Sequence, residues 1–124
     1  MPAKDIRRRM SDRHEGFVAK LFGVRVTPGS GNQWAKPADG RTDANQAKFG
    51  FAWDCKATRA ASISVSLEMW NKIKIQSHNE LPMIPIRFYL SDRLDQFVDL
   101  VVLDLNDLAY MMEEANKENY HVDD

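Results

Sequence analysis

The chain has 124 residues and one cysteine, Cys55, so its length predicts a single domain and a disulfide within the chain is excluded. Hydrophobic residues make up 44% of the sequence, which is typical of a globular protein and not of a disordered one. The basic start is not followed by an apolar stretch, and no segment approaches the roughly 20 apolar residues of a membrane span. We therefore expect a cytoplasmic protein in a reducing compartment of a bacterium or a phage-infected cell.

The net charge of −1 hides an uneven distribution of charged residues. Residues 1–87 contain 15 Lys and Arg against 8 Asp and Glu, whereas residues 88–124 contain 2 against 10. A basic body of this kind is compatible with a polyanionic partner, such as nucleic acid, on one face. Two differently charged solvated surfaces would give the same counts, so charge alone leaves nucleic-acid binding open.

The first third of the chain predicts a helix, a short strand and a long loop. Residues 5–22 place apolar side chains at helical spacing, with Asp5 as the N-cap and Gly23 as the C-terminal stop. Residues 24–27 alternate like a strand, and residues 29–40 are rich in Gly, Pro, Asn and Ser, as loops are.

The middle of the chain predicts two strands and a second helix. Residues 42–43 begin or lie on one strand, and residues 49–56 form another, which we expect at the centre of the sheet. Residues 62–65 are a brief extended piece, and a helix over residues 66–79 follows, capped by Ser66. This helix is predicted to carry Leu67, Trp70, Ile73 and Ser77 on one side.

The last third of the chain predicts a hairpin and a final helix. Pro82 acts as a breaker before strands over 83–90 and 97–103, and their short link indicates an antiparallel pair. Asp104 or Asn106 caps the last helix, whose inward-facing residues are predicted to be Leu108, Met111, Met112 and Ala115. The order α-β-β-β-α-β-β-α predicts an α/β fold.

The residues that best indicate chemistry are Asp54 and Lys56, which end the apolar run of the central strand. Residues i and i+2 of a strand share a face, so these two side chains project together and Cys55 points the other way. Asp43 lies eleven residues upstream of Asp54. Two carboxylates and a lysine that converge can hold Mg²⁺, with Mn²⁺ as a substitute, and cut a phosphodiester.

Each residue of this set has a proposed role. Asp43 and Asp54 are the proposed metal ligands, the backbone carbonyl of Cys55 is a further one, and Glu15 reaches the site directly or through metal-bound water. Lys56 orients or deprotonates the attacking water, or neutralises developing charge. Each of these residues also has a non-catalytic interpretation. An Asp-x-Lys triplet is common by chance. Asp43 alone could be a turn residue, and Glu15 alone could be a solvated charge on the helix surface.

A glycine-rich loop and several basic residues predict contacts to DNA. Small residues let backbone N–H groups approach a phosphate closely, and Ser30 adds a hydroxyl. An ordinary surface turn and ordinary solvated charges are the alternatives. The residues assigned to DNA binding are Gly29, Ser30, Gly31, Asn32, Lys36, Arg41, Arg59, Arg7, Arg8 and Arg9.

Taken in order, Glu15, the Pro28-Gly29-Ser30-Gly31 turn, Asp43 and Asp54-Cys55-Lys56 resemble the PD-(D/E)XK nuclease superfamily. Within it, the layout resembles the small Holliday junction resolvases of archaea and phages. Glu15 matches the helix glutamate, Ser30 the loop serine, Asp43 and Asp54 the two acids, and Lys56 the lysine. Thr42 stands where the superfamily has proline, and Asp54 stands where many resolvases have glutamate.

The resemblance implies one nuclease domain over residues 1–124 with a restriction-endonuclease-like core, a mixed sheet flanked by helices. That core would cover about residues 5–90, with an acidic extension over 91–124. The implied catalytic residues are Glu15, Ser30, Asp43, Asp54 and Lys56.

The implied activity is Mg²⁺-dependent cutting of branched DNA in recombination and repair, by a homodimer whose two sites match the two cuts. A restriction-type or repair nuclease acting on linear duplex, flaps or forks is an alternative. A nucleic-acid-binding module without activity, and a protein-interaction role, are two others.

Overall fold

The computed structural model describes residues 3–22, 40–41 and 49–122. Within these residues, three helices and one open mixed sheet confirm the predicted α/β class. The predicted strand over 24–27 and the predicted strand at 42–43 lie outside the described residues, as does all of the loop except Gly40. The elements in chain order are α1 (Ala3–Leu21), β1 (Gly40–Arg41), β2 (Phe51–Trp53), β3 (Lys56–Thr58), α2 (Leu67–Gln76), β4 (Leu81–Tyr89), β5 (Phe97–Leu103) and α3 (Leu105–Val122).

Helix α1 is the predicted N-terminal helix, but it begins before the predicted cap. Asp5 lies in its first turn, where its charge interacts favourably with the exposed N–H groups of the helix start. Its buried face is formed by Met10, His14, Val18 and Ala19. Phe17 and Leu21, which lie on the apolar stripe of this helix by their spacing, are 42% and 64% exposed.

Strands β2 and β3 are two parts of one interrupted strand along β4. Each of their residues faces the β4 residue numbered 30 higher, in parallel orientation, from Phe51 opposite Leu81 to Thr58 opposite Phe88. Because β5 pairs antiparallel with Met83–Tyr89, β2 and β3 must share the other edge of β4. The sheet therefore has four strand positions, in the order β1, β2 with β3, β4 and β5. The central position predicted for the strand over 49–56 is confirmed, but the strand covers 51–53 and 56–58 and is interrupted at 54–55.

The hairpin of β4 and β5 is confirmed, whereas the prediction that Pro82 ends the preceding structure is wrong. Pro82 lies inside β4 and faces Ala52. Leu81 N–H donates to the Gly50 carbonyl, so by alternation the nitrogen of Pro82 faces the β5 side. Pairing with β5 ends at Met83, so no ladder bond is lost there.

The two faces of the sheet are covered by different helices. Trp53 and Met83 pack with Val18 and Ala19 of α1 on one face. Ala52, Ile84 and Ile86 pack with Ile73 of α2 on the other. Odd-numbered residues of β2 and β4 therefore face α1 and even-numbered residues face α2, as strand alternation requires.

Helix α2 has the predicted N-cap but ends earlier than predicted. The Ser66 hydroxyl accepts a hydrogen bond from Met69 N–H at 3.0 Å, as an N-cap does. His78 has a φ of 52°, which is incompatible with a continuing right-handed helix. Of the residues predicted to share one side of α2, Ile73 and Ser77 are buried, whereas Leu67 is 73% exposed. Residues 62–65, predicted to be a brief extended piece, belong to no helix or strand.

Helix α3 begins at the predicted cap. The Asp104 carboxylate accepts hydrogen bonds from the N–H groups of Asn106 and Asp107 at 2.8 and 3.1 Å. Tyr110 of this helix contacts Phe49 edge to face at 5.7 Å, but Met112, predicted to face inward, is 60% exposed. Among the described helices, none has both the length and the apolar character needed to cross a bilayer.

Candidate active site

Asp54 and Lys56 lie side by side where the central strand is interrupted. Lys56 Nζ is 3.4 Å from Asp54 Oδ2, and the two side chains are 32% and 24% exposed. Cys55 packs instead with the Trp53 cluster on the α1 face. The sequence prediction that Asp54 and Lys56 share a face and that Cys55 points away is thus confirmed, and the pair projects on the α2 face.

The interruption has a physical cause in β4. Asp54 N–H donates to the Met83 carbonyl at 3.2 Å, so in a parallel ladder the next bond would run from the residue-85 amide to the Asp54 carbonyl. Residue 85 is proline and has no N–H to give. Regular pairing therefore stops at Trp53 and resumes at Lys56, which leaves the Asp-Cys step free to depart from strand geometry.

The Cys55 backbone lies in the interrupted step, between the ends of β2 and β3. The assignment of the Cys55 carbonyl as a metal ligand stays a prediction.

The pairing of β1 with β2 bears on which second acid accompanies Asp54. Gly40 faces Trp53 and Arg41 faces Ala52 in antiparallel orientation, so each step forward along β1 is a step away from Asp54. Gly40 lies so close to the Trp53 indole that a Cβ there would overlap the ring, so the residue opposite Trp53 has to be a glycine. Asp43 lies outside the described residues, and the register adds Asp39, the residue before Gly40, as a second candidate.

No three His, Cys, Asp or Glu residues within ranges 3–22, 40–41 and 49–122 are close enough together to hold a metal ion. Asp54 supplies a hard carboxylate oxygen, which is the donor type that Mg²⁺ prefers.

Glu15 lies on α1, the helix that covers the face opposite Asp54 and Lys56. It is partly buried and makes a polar contact of its own. It belongs to no described group of three potential metal ligands. Its role as a catalytic residue and metal ligand stays a prediction, and it would have to reach the site past the edge of the sheet.

The basic residues assigned to DNA fall into three groups. Arg59 donates to Asp92 Oδ1 at 2.7 Å, so part of its charge is neutralised by its own chain. Arg7, Arg8 and Arg9 are exposed on α1, and Arg8 lies 4.0 Å from Asp12. The third group has side chains that lie outside the described part of the structure; it consists of Gly29, Ser30, Gly31, Asn32, Lys36 and Arg41.

A buried polar cluster on the α1 face was not predicted from the sequence. The Arg87 guanidinium donates to both Asp99 oxygens at 2.7 and 2.9 Å and lies 3.7 Å from the centre of the Phe97 ring. The hairpin register contained a signal for this pair, because residues 87 and 99 lie at equal distances before and after residue 93, as the paired Tyr89 and Phe97 do.

His14 completes this cluster from α1. Its imidazole is 1% exposed, and Nε2 lies 3.1 Å from the Pro85 carbonyl. Nδ1 lies 4.0 Å from Asp99 Oδ1, and no hydrogen-bond partner for it occurs within the described residues. Burial lowers the pKa of His14, with Arg87 acting in the same direction, while the Pro85 carbonyl and Asp99 oppose the shift.

Comparisons of the chain with protein families, with characterised proteins and with solved structures gave no significant match.

Proposed function

We propose that this protein is a Mg²⁺-dependent endonuclease that cuts phosphodiester bonds in branched DNA, most simply four-way junctions. The observation that carries the proposal is the Asp54–Lys56 pair, 3.4 Å apart at the interrupted central strand. An acid and a lysine side by side at the end of the apolar run of a central strand match the arrangement that the PD-(D/E)XK resemblance implies. The mixed sheet flanked by helices is compatible with that core.

In this proposal, Asp54 holds the metal together with a second acid and the Cys55 carbonyl. The ion, when bound, supplies a nucleophilic water and a counter-charge for the phosphate. Lys56 is placed to orient that water or take its proton, or to neutralise charge that builds on the phosphate oxygens. Its 3.4 Å contact with Asp54 keeps the ammonium group at the side chain that would bind the ion.

The proposed preference for branched DNA rests on two features of the sequence. One is the order of the residues that match the Holliday junction resolvases, and the other is the basic N-terminal part. Residues 1–87 carry the excess of positive charge, and exposed Arg7, Arg8 and Arg9 extend it along α1. A four-way junction is resolved by two cuts in opposed strands. Two copies of a one-site chain would make them symmetrically.

The decisive comparison uses three labelled substrates with equal sequence content: a four-way junction, a linear duplex and a flap. With Mg²⁺ the proposal expects paired cuts in the junction at a rate at least about tenfold above the duplex. Equal cutting of junction and duplex would instead support the restriction-type or repair alternative. Binding without cutting in Mg²⁺ or Mn²⁺ would support the non-catalytic module.

A further inference from the structure

Strand β5 exposes an unusual amount of apolar surface for the strand of a monomer. Leu100 is 55% exposed, Val101 50% and Val98 45%, so side chains on both faces of the strand reach solvent. The only charged residue in the seven-residue strand is Asp99, and Arg87 of the same chain neutralises it. A long apolar edge with no free charge is a template for pairing with another strand.

The outer backbone edge of β5 has no partner within the part of the chain that the structure describes, where β5 pairs with β4 alone. Leu90 N–H donates to the Gln96 carbonyl, so even-numbered residues of β5 direct their amides and carbonyls toward β4. Phe97, Asp99, Val101 and Leu103 therefore direct theirs outward, which gives four donors and four acceptors along the free edge.

An apolar groove continues the surface beside this strand. It has a volume of about 320 Å³ and is lined by Phe17 and Leu21 of α1, by Phe22 just after that helix, and by Val101, Leu103 and Met111 from the C-terminal part. Leu21 is 64% exposed. Exposed apolar patches of this extent, continuous with a free strand edge, mark interaction surfaces.

We propose that β5 is a homodimer interface, at which two copies of this chain pair their β5 strands antiparallel about Leu100. Leu100 is the midpoint of Phe97–Leu103, so this register pairs all seven residues. It sets Val98 opposite Val102, Phe97 opposite Leu103 and Asp99 opposite Val101. The two Asp99 carboxylates do not face each other, and the outward amides of each copy meet carbonyls of the other.

The inference rests on the exposed edge and not on the nuclease chemistry, so either can fail alone. Apolar burial and backbone pairing are only weakly screened by salt, whereas binding to DNA phosphates weakens steeply as salt rises. If two copies of the chain stay associated in 0.5 M NaCl without DNA, the β5 interface and not shared nucleic acid holds them together.

The test is the oligomeric state of the full chain by analytical ultracentrifugation without DNA. We expect a dimer for the wild type. Leu100→Lys should raise the dimer dissociation constant by about 100-fold or more, because a charge would be buried on the symmetry axis. Ile75→Lys, at a still more exposed apolar residue of α2 (78%), should leave it unchanged. A monomeric wild type, or equal effects of both variants, would overturn the proposal.

Two further variants test the register. Val101→Pro removes an outward amide without removing a bond to β4 and should give a folded monomer. Leu100→Cys places two thiols opposite each other, at a Cα separation of about 4.5 Å in a non-hydrogen-bonded pair, and should form a cross-linked dimer on mild oxidation. Val98→Cys should not, since it faces Val102. Cross-linking of Val98→Cys but not of Leu100→Cys would contradict the register.

Discussion

Lys56 Nζ lies 3.4 Å from Asp54 Oδ2 at the one step where the central strand loses its regular pairing with β4. Pro85 accounts for that loss, because it cannot donate to the Asp54 carbonyl. The strand therefore holds Asp54 and Lys56 on one face while its ladder is open between them. This relationship is the basis of the proposed chemistry.

Lys56→Ala should reduce junction cleavage by at least about 100-fold, which corresponds to the usual loss of one positioned group in a transition state. Binding of the junction, measured by fluorescence anisotropy, should change less than about threefold, since one phosphate-proximal charge is a small part of the total. Lys117→Ala, at an exposed lysine paired with Glu114 on α3, is the matched control and should cut normally. Normal cutting by Lys56→Ala would remove Lys56 from the mechanism.

The second acid can be identified by comparing Asp39→Asn with Asp43→Asn. The order of motifs favours Asp43, whereas the register of β1 on β2 runs toward Asp54 through the residue before Gly40. One of the two variants should lose cleavage by about 100-fold or more and need more Mg²⁺ for its residual activity, as expected when a metal ligand is removed. The other should behave like wild type. If neither variant loses activity, the two-acid site is wrong.

Asp99→Asn should destabilise the fold by about 2–3 kcal/mol, because it leaves the buried Arg87 guanidinium without its counter-charge. The upper end of the range for buried pairs is not expected, since the Asp99 side chain is 29% exposed. Arg87→Met should cost less, because it removes the charge that needs a partner and keeps apolar contact with Phe97. Urea unfolding at one fixed protein concentration measures both, and a larger loss for Arg87→Met would contradict this account.

The buried histidine should make the fold less stable in mild acid. Burial lowers the pKa of His14 below its usual 6.5 in the folded chain, so the unfolded chain binds a proton first as the pH falls. Stability is therefore lost from about pH 6.5 downward, until the pH passes the folded-state pKa. Between pH 7.5 and 5, His14→Gln should lose less free energy of unfolding than wild type. Parallel pH curves for the two proteins would show that His14 does not titrate in this way.

Local sequence signals predicted much of the fold. The spacing of apolar residues located α1, Ser66 and Asp104 were identified as caps, and the short link at residues 91–95 predicted the antiparallel pair of β4 and β5. Each of these depends on residues within a few positions of each other. Pro82 was misassigned because a strand accepts proline only where its missing N–H costs no hydrogen bond. That depends on where the pairing of β4 with β5 ends, which is a property of the assembled sheet.

The candidate site was predictable only in part for the same reason. Strand periodicity alone put Asp54 and Lys56 together. The break at Asp54 and the approach of β1 depend on which strand lies on each side. The exposure of Leu67 and Met112 shows the same limit, since helical spacing identifies an apolar face but not whether another element covers it.

The central claim is that Asp54 takes part in metal-dependent cleavage of branched DNA. The most direct measurement is the single-turnover rate of cutting a synthetic four-way junction with Mg²⁺, with EDTA, and with Asp54→Asn beside Glu113→Gln, which changes an exposed acid on α3. We predict paired cuts by wild type and Glu113→Gln in Mg²⁺, no cuts in EDTA, and a loss of at least about 1,000-fold in Asp54→Asn with junction binding retained. Cutting by Asp54→Asn at the wild-type rate, or no metal-dependent cutting by the wild type, would contradict the claim.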